Sequence, residues 1–248
     1  MRIIIAPAKK MNADIAFLKP QGKPVFLDKS QEILKALKSM SYAELKQLWG
    51  CNDKLAKLNY ERISQMDLAD KLAPALLSYE GIQYQYMASK ILDDDNYDYL
   101  QERLRILSGF YGVLRPFDGI TPYRLEMQAD LKIKGFDNLY DYWGDCLYRE
   151  VIDESHTIIN LASKEYSKCI ERYLKPQDCF ITIIFAEMVK GKLVQKGTYA
   201  KMARGMMVHY LACQRVDNPE DIKKFSELNY GFDEALSDKT TYVFIKKS

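Results

Sequence analysis

The chain begins Met1-Arg2-Ile3-Ile4-Ile5-Ala6-Pro7, a short run of β-branched residues that is cut by a proline. This pattern is typical of a buried strand that leads directly into a loop. The loop, residues 7–12, carries Lys9 and Lys10 at the carboxyl end of the predicted strand. Open α/β sheets form their ligand crevices at this end of the strands. We therefore expect an α/β fold with a binding loop after the first strand.

Outward from that strand, the apolar periodicity first becomes helical and then returns to strands. The helices are predicted over residues 30–38, 41–48, 53–63, 74–91 and 97–107, and Ser41 with Glu44 forms a capping-box pattern at the second. Residues 108–127 have no clean period and predict an ordered loop. Further predictions are strands at 157–161, 180–185 and 242–246, a hairpin returning over 192–195, and a long helix at 199–216. The whole indicates one mixed α+β unit over 1–248 with a central sheet, and residues 28–107 form a helical subdomain or insertion.

Composition limits the classes of protein that the chain can belong to. A 248-residue chain with 48% hydrophobic residues can bury a sizeable core, and its net charge of +2 does not specify a partner. The apolar run at the start is too short for a signal peptide or membrane span, so we expect a cytoplasmic protein that does not contact membranes. The 5 cysteines are scattered and predict reduced, mostly buried thiols. With only 2 histidines and no Walker loop or dinucleotide fingerprint, no metal and no cofactor are predicted.

A turn between the second and third predicted helices is the first candidate site. Gly50-Cys51-Asn52 joins the helices, and Ala56 follows four residues later, as in the helix-hairpin-helix element of DNA-binding proteins. In the second glycine position stands Asn52, a residue that tolerates positive φ. Free N–H groups at the start of the next helix could donate hydrogen bonds to a phosphate, with Lys54 and Lys57 adding charge. An ordinary tight turn between two helices is the alternative.

Charge placement gives the second candidate. Residues 188–216 contain no Asp or Glu and hold six cations, namely Lys190, Lys192, Lys196, Lys201, Arg204 and Arg215. Lys201 and Arg204 share one face near the amino end of the predicted helix, where cations oppose the helix dipole. A phosphate-bearing partner explains that placement, whereas a merely solvated basic face is the alternative.

The third candidate is the block of residues 108–127, which is rich in Gly, Pro, Tyr and Arg. Arg115 and Arg124 can each bind a carboxylate or a phosphate through two N–H groups, while the tyrosines offer stacking faces. Alternatively, Arg115 pairs with Asp118 and Arg124 with Glu126, and the pairs only hold the loop together.

Several blocks in the same order make the chain similar to a known family. The blocks are residues 6–9, 108–127, 139–145, 159–166, 201–207 and 229–233, and together they resemble the YaaA family of bacterial peroxide-stress proteins. The first block has Ala6 where the family often has serine, so no role is expected for a hydroxyl there. The resemblance implies a cytosolic protein that limits damage from peroxide and free iron. It also implies an unusual α/β fold with a helix-hairpin-helix, which would fall on the Gly50 turn, a positively charged cleft and binding to duplex DNA.

Two functions remain open from the sequence, beside a structural or protein-interaction role for which no exposed apolar stripe gives evidence. The first is a module that binds duplex or branched DNA through the Gly50 turn and the basic region 190–215. The second is an enzyme acting on a nucleotide or nucleobase, with Glu126 or a lysine as general base. Its pocket would combine Lys9, Arg115, Tyr123, Arg124, Glu126 and Lys201.

Overall fold

The computed structural model describes residues 1–12 and 18–247. Its strands are β1 Arg2–Ile5, β2 Lys10–Met11, β3 Ala73–Pro74, β4 Tyr79–Glu80, β5 Leu104–Ser108, β6 Gly112–Leu114, β7 Gly119–Ile120, β8 Thr157–Asn160, β9 Cys179–Val189, β10 Lys192–Val194, β11 Tyr230–Phe232 and β12 Thr241–Lys246. Its helices are α1 Leu27–Lys38, α2 Tyr42–Trp49, α3 Asp53–Gln65, α4 Ala75–Ser78, α5 Ile82–Met87, α6 Asp94–Arg103, α7 Leu139–Trp143, α8 Cys146–Val151, α9 Lys164–Glu171, α10 Gly197–Cys213 and α11 Pro219–Ile222, with 3₁₀ turns at Ser89–Ile91 and Glu227–Asn229.

One mixed sheet organises the fold, with the strand order β11-β12-β9-β8-β1-β5-β6. The five central strands, β12, β9, β8, β1 and β5, are parallel to one another. The outer strands β11 and β6 run antiparallel to their neighbours, and β10 pairs antiparallel with the end of β9. The carboxyl ends of the five parallel strands therefore meet along one edge of the sheet, which we call the carboxyl edge.

Burial explains why the first strand lies at the centre of this sheet. Ile3, Ile4 and Ile5 are each 0% exposed, as expected for a parallel strand that is covered on both faces. The apolar residues of α1, Ile33, Leu34 and Leu37, belong to the same buried cluster as the sheet. The helical segment thus packs on the core that the strands build.

Most of the predicted elements are confirmed. These include β1, the capping box of α2, strands at 157–160 and 241–246, the hairpin and α10. Both hydrogen bonds of the capping box are formed, since the backbone N–H of Ser41 donates to Oε2 of Glu44 and the backbone N–H of Glu44 donates to Oγ of Ser41.

Three predictions were wrong in part. The helix predicted over 97–107 ends at Arg103, and Leu104–Ser108 forms β5. The segment predicted as a loop, 108–127, contains β6 and β7, while the helix predicted over 74–91 is divided by the short strand β4. The short helices α7, α8 and α9 were not predicted.

Candidate functional site

A cavity of about 450 Å³ lies at the carboxyl edge of the sheet. The loop after β1 and the start of α9, which follows β8, form two of its walls. From β1 the chain reaches β5 on one side of the sheet, whereas from β8 it reaches β9 on the other side. Loops that leave neighbouring parallel strands in opposite directions open a crevice between them. The strand order itself therefore creates the cavity.

Two helices, α5 and α10, form the opposite wall, and they pack against each other closely. Gly205 allows this approach, because a Cβ there would overlap the carbonyl oxygen of Gln83. Gly81, which precedes α5, lies against the loop after β1, where an added Cβ would be 3.2 Å from the Cβ of Ala8. The wall depends on these two close contacts.

Glu126 is the centre of a charge network in the cavity. Its Oε1 lies 2.9 Å from Nζ of Lys9 and 3.0 Å from Nη2 of Arg124. The same Nη2 of Arg124 donates to the carbonyl oxygen of Trp49 at 3.4 Å. Arg124 is buried, and its Nε has no hydrogen-bond partner among residues 1–12 and 18–247. Arg124 thus ties the central block to the end of α2, one residue before Gly50.

The α10 side of the cavity carries positive charge without a matching acid. Lys201 is exposed and Arg204 is half-buried, and both line the cavity. In the part of the chain that the structure describes, neither forms an ion pair within 4.0 Å. Burial lowers the pKa of the Arg204 guanidinium, because the charged form loses hydration. This wall would gain most from an anionic ligand.

Glu165 is a cavity residue that the sequence reasoning did not select. It lies in the first turn of α9, half-buried, and its Oε1 accepts the N–H of Gln128 at 3.3 Å. Burial raises the pKa of Glu165, and the nearby charge of Glu126 raises it further. The sequence signals for Glu165 were its position just after a predicted strand and its place in the family block 159–166. The cavity therefore holds two carboxyl groups in different environments, one ion-paired and one disfavoured in its charged form.

Tyrosines supply the apolar floor. Tyr84, Tyr123 and Tyr166 are buried and line the cavity. The hydroxyl of Tyr123 lies 2.6 Å from Oγ of Ser108 and 2.7 Å from the hydroxyl of Tyr79. Burial raises the pKa of each of the three lining tyrosines well above its ordinary value, so their hydroxyls stay protonated. They can therefore donate hydrogen bonds and shape the cavity, but they do not act as bases.

The structure brings five of the six predicted pocket residues together and leaves Arg115 outside. Lys9, Tyr123, Arg124, Glu126 and Lys201 all line the cavity. Arg115 follows β6, which runs antiparallel to β5 and returns the chain to the opposite edge of the sheet.

Of the two ion pairs that were the alternative for this block, Arg124–Glu126 is formed, whereas the guanidinium of Arg115 pairs with Glu150 instead of Asp118. Nη2 of Arg115 lies 3.4 Å from Oε1 of Glu150, and its backbone N–H donates to Asp118 at 2.8 Å. Arg124 and Glu126 therefore hold the loop together and also line the cavity.

At the Gly50 turn, the backbone differs from the expectation for Asn52. Gly50 has φ 51°, but Asn52 has φ −70° and caps α3, with its Oδ1 accepting the N–H of Leu55 at 3.0 Å. The asparagine serves as a helix cap and does not replace a left-handed glycine. Cys51 is half-buried, Lys54 and Lys57 are exposed, and Asp53 is paired with Lys46 at 2.6 Å.

The basic region divides into paired and unpaired cations. Lys196 binds Glu187 at 2.6 Å, and Arg215 pairs with Asp95. Lys190 and Lys192 are exposed on the hairpin formed by β9 and β10. The absence of acids along residues 188–216 therefore does not leave all of its cations free.

Other candidate features of the described residues are few. No group of three or more His, Cys, Asp or Glu side chains there could hold a metal ion. No described helix has both the length and the apolar character needed to span a membrane. The cysteines are free, but only Cys169 is buried, so the expectation of mostly buried thiols was wrong. The other four lie at partly or fully exposed positions in the Gly50 turn, at the ends of α8 and α10 and at the start of β9.

Fold and cavity together define an α/β protein with a charged, tyrosine-floored cavity where the strand order of its sheet reverses. The family model for the peroxide stress protein YaaA matches residues 1–236. The chain is 57% identical over 247 residues to a UPF0246 protein of Agathobacter rectalis, covering 100% of this chain and 99% of that protein. It is 52% identical to a UPF0246 protein of Lachnoclostridium phytofermentans, over 99% of this chain and 96% of that protein. The chain belongs to the YaaA family of peroxide stress proteins.

Proposed function

We propose that this member of the peroxide stress family binds DNA, duplex or branched, at the carboxyl edge of its sheet. The observation that carries the proposal is the convergence of Lys9, Arg124, Lys201 and Arg204 on one cavity. These residues come from three segments that are far apart in sequence, with Lys201 and Arg204 both in α10. Lys201 and Arg204 have no carboxylate partner in residues 1–12 and 18–247, so phosphate oxygens would supply the missing counter-charge.

The Gly50 turn would form the second contact. Arg124 reaches both the cavity and the carbonyl oxygen of Trp49, so the turn lies next to the cavity. The side chain of Asn52 accepts a hydrogen bond from one N–H group at the start of α3, that of Leu55. The exposed Lys54 and Lys57 lie close to the same helix start. A phosphate there would be bound by the remaining N–H groups and by these lysines, in the manner of a helix-hairpin-helix.

In the cell, such binding would protect DNA against iron-dependent oxidative damage. Protection would come from shielding the DNA or supporting its repair, because the described residues form no metal-binding group and no paired cysteines. The protein would act downstream of peroxide and would not consume it.

Gel-shift titration in rising salt tests the proposal. Phosphate contacts release counterions, so the affinity should fall steeply with salt. Lys201→Glu and Lys54→Glu should each weaken binding and lower the salt slope by about one. Arg149→Glu is the matched control, because Arg149 has a 68% exposed side chain and does not line the cavity. Binding that is weak and insensitive to salt, or equal loss in the Arg149→Glu control, would contradict the proposal.

A second candidate function is an enzyme acting on a nucleotide or nucleobase in the same cavity. It is favoured by the two carboxyl groups with different environments, Glu126 and Glu165. Glu126 is paired with two cations and suits the stabilisation of charge, whereas Glu165 suits proton transfer. Thermal-shift measurements with nucleosides and nucleotides test this candidate, with Glu165→Gln as the comparison. If none of these ligands stabilises the protein, the cavity is not a nucleotide site.

A further inference from the structure

The hairpin formed by β9 and β10 extends beyond the rest of the sheet. Strand β8 accompanies β9 only from Cys179 to Thr182, and β12 accompanies it from Thr182 to Ala186. Beyond that point the described chain pairs β9 with β10 alone, through residues 187–189 and 192–194. We call residues 187–194 the projecting hairpin.

The projecting hairpin extends from the carboxyl edge of the sheet, the edge at which the cavity lies. Strand β9 is parallel to β8, so its end extends from the carboxyl edge, where the cavity opens. The next element, α10, begins at Gly197 and carries Lys201 and Arg204 to the cavity wall. Because a helix rises about 1.5 Å per residue, Lys201 lies only ~6 Å along the axis from the start of α10. The hairpin and the cavity are therefore neighbours.

The projecting hairpin exposes apolar side chains that the fold does not use. Met188 is 50% exposed and its cross-strand partner Leu193 is 42% exposed. Directly opposed residues of an antiparallel pair point to the same face, so these two side chains form one apolar unit. Val189 and Val194 are also exposed, on the other face. Clustered apolar exposure of this kind marks a surface that a partner covers.

Charge indicates which partner covers it. Lys190 and Lys192 are exposed at the tip, and the sequence contains no acid from residue 188 to residue 216. The acid at the base of the hairpin, Glu187, is ion-paired with Lys196 at 2.6 Å and lies 3.9 Å from Lys246. Lys192, the cross-strand partner of Val189, points to the face opposite Met188 and Leu193, and Lys190 lies at the turn, so the lysines flank the apolar pair. Lysines that flank exposed Met and Leu are the combination with which DNA-bending proteins hold phosphates and insert apolar wedges between bases.

We infer that the projecting hairpin is a DNA wedge, in which Lys190 and Lys192 hold phosphates while Met188 and Leu193 enter the base stack. The inference rests on the proposed DNA binding and adds to it a contact with the bases. A base that loses its stacking partner at the hairpin would lie at the carboxyl edge, next to the cavity. The hairpin would then separate bases and the cavity would receive one.

Two signals from one DNA probe test the inference. The probe is a short duplex with a dye at one end and 2-aminopurine at successive internal positions. Dye anisotropy reports binding, and 2-aminopurine emission rises when the base is unstacked. We expect both signals to rise with the unaltered protein at low salt. Met188→Ser combined with Leu193→Ser should abolish the emission rise while the anisotropy still rises, because the cations remain.

The matched control is Val25→Ser combined with Leu236→Ser, which changes two exposed apolar residues outside the hairpin and the cavity. It should keep both signals, and all variants should melt like the unaltered protein. If anisotropy rises without an emission change, or the Met188/Leu193 variant keeps the change, the wedge is refuted while DNA binding stands. If the unaltered protein gives no anisotropy change at low salt, both proposals fail. If sedimentation shows a dimer that the Met188/Leu193 variant converts to a monomer, the hairpin joins two copies of the chain and the wedge is refuted.

Discussion

Substitution of Gly205 by alanine should separate the two helices that wall the cavity. An added Cβ would overlap the carbonyl oxygen of Gln83, lie 2.9 Å from its carbonyl carbon and lie 3.0 Å from the amide nitrogen of Met87. All three atoms belong to the backbone of α5, so no side-chain rotation can relieve the overlap. Overpacking costs about 1–3 kcal/mol, and a contact with rigid backbone belongs at the upper end.

The helix propensity of alanine offsets part of that cost by about 1 kcal/mol. The net loss in the free energy of unfolding is then about 2 kcal/mol, which for a chain of this size lowers Tm by ~4–8 °C. Urea denaturation followed by circular dichroism measures it. Gly197→Ala is the control in the same helix, because nothing lies within 4 Å of its added Cβ, and it should be neutral or slightly stabilising. Equal denaturation midpoints for the two variants would refute the argument that α5 and α10 meet at Gly205.

Three further predictions concern a buried acid, a helix cap and the cysteines. Burial raises the pKa of Asp118 to about 6, so folding favours its protonated form, and the stability this gives is complete only below the ordinary aspartate pKa. That stability is lost as the pH rises through 6. Relative to the unaltered protein, the free energy of unfolding of Asp118→Asn should therefore rise by up to roughly 3 kcal/mol between about pH 4 and pH 8, as measured by urea unfolding. Parallel pH curves for the two proteins would contradict this prediction. Asn52→Ala should cost about 1 kcal/mol in the same assay because the N–H of Leu55 loses its cap, whereas Asn52→Asp should cost little. With a thiol-specific dye, exposed Cys213 should react in the native state and Cys169 only after unfolding, since Cys169 is buried and its pKa is raised to about 12.

The elements that the sequence predicted well are those that local residues determine. The strand β1 follows from three isoleucines before a proline, and α2 follows from the pairing of Ser41 with Glu44. The error at β5 has a physical cause. Leu104, Ile106 and Leu107 are all 0% exposed, and a short run of apolar residues is equally compatible with a buried strand and with the continuation of a helix. The sheet decides between them, because β1 offers β5 a free parallel edge.

The candidate site shows the same limit more sharply. Lys9 could be selected because it follows a strand, and Lys201 because its surroundings lack acids. Glu165 also follows a predicted strand, but that position did not distinguish it, since its place in the cavity depends on β8 lying next to β1, which no local pattern specifies. Arg115 was wrongly predicted to lie in the pocket because it is close in sequence to Tyr123 and Arg124. The turn between β5 and β6 was not foreseen, and that turn carries Arg115 away from the carboxyl edge.

Arg124 explains how contacts that are distant in sequence can act as one surface. Its single Nη2 joins the carboxylate of Glu126, which faces the cavity, to the carbonyl oxygen of Trp49, which ends α2. A rearrangement of the Gly50 turn on binding a phosphate would therefore displace Arg124 and change its ion pair with Glu126. Loss of Arg124 would also leave Glu126 with Lys9 alone, and Lys9 has a 65% exposed side chain. Arg124 therefore connects the turn to the cavity and to the central block.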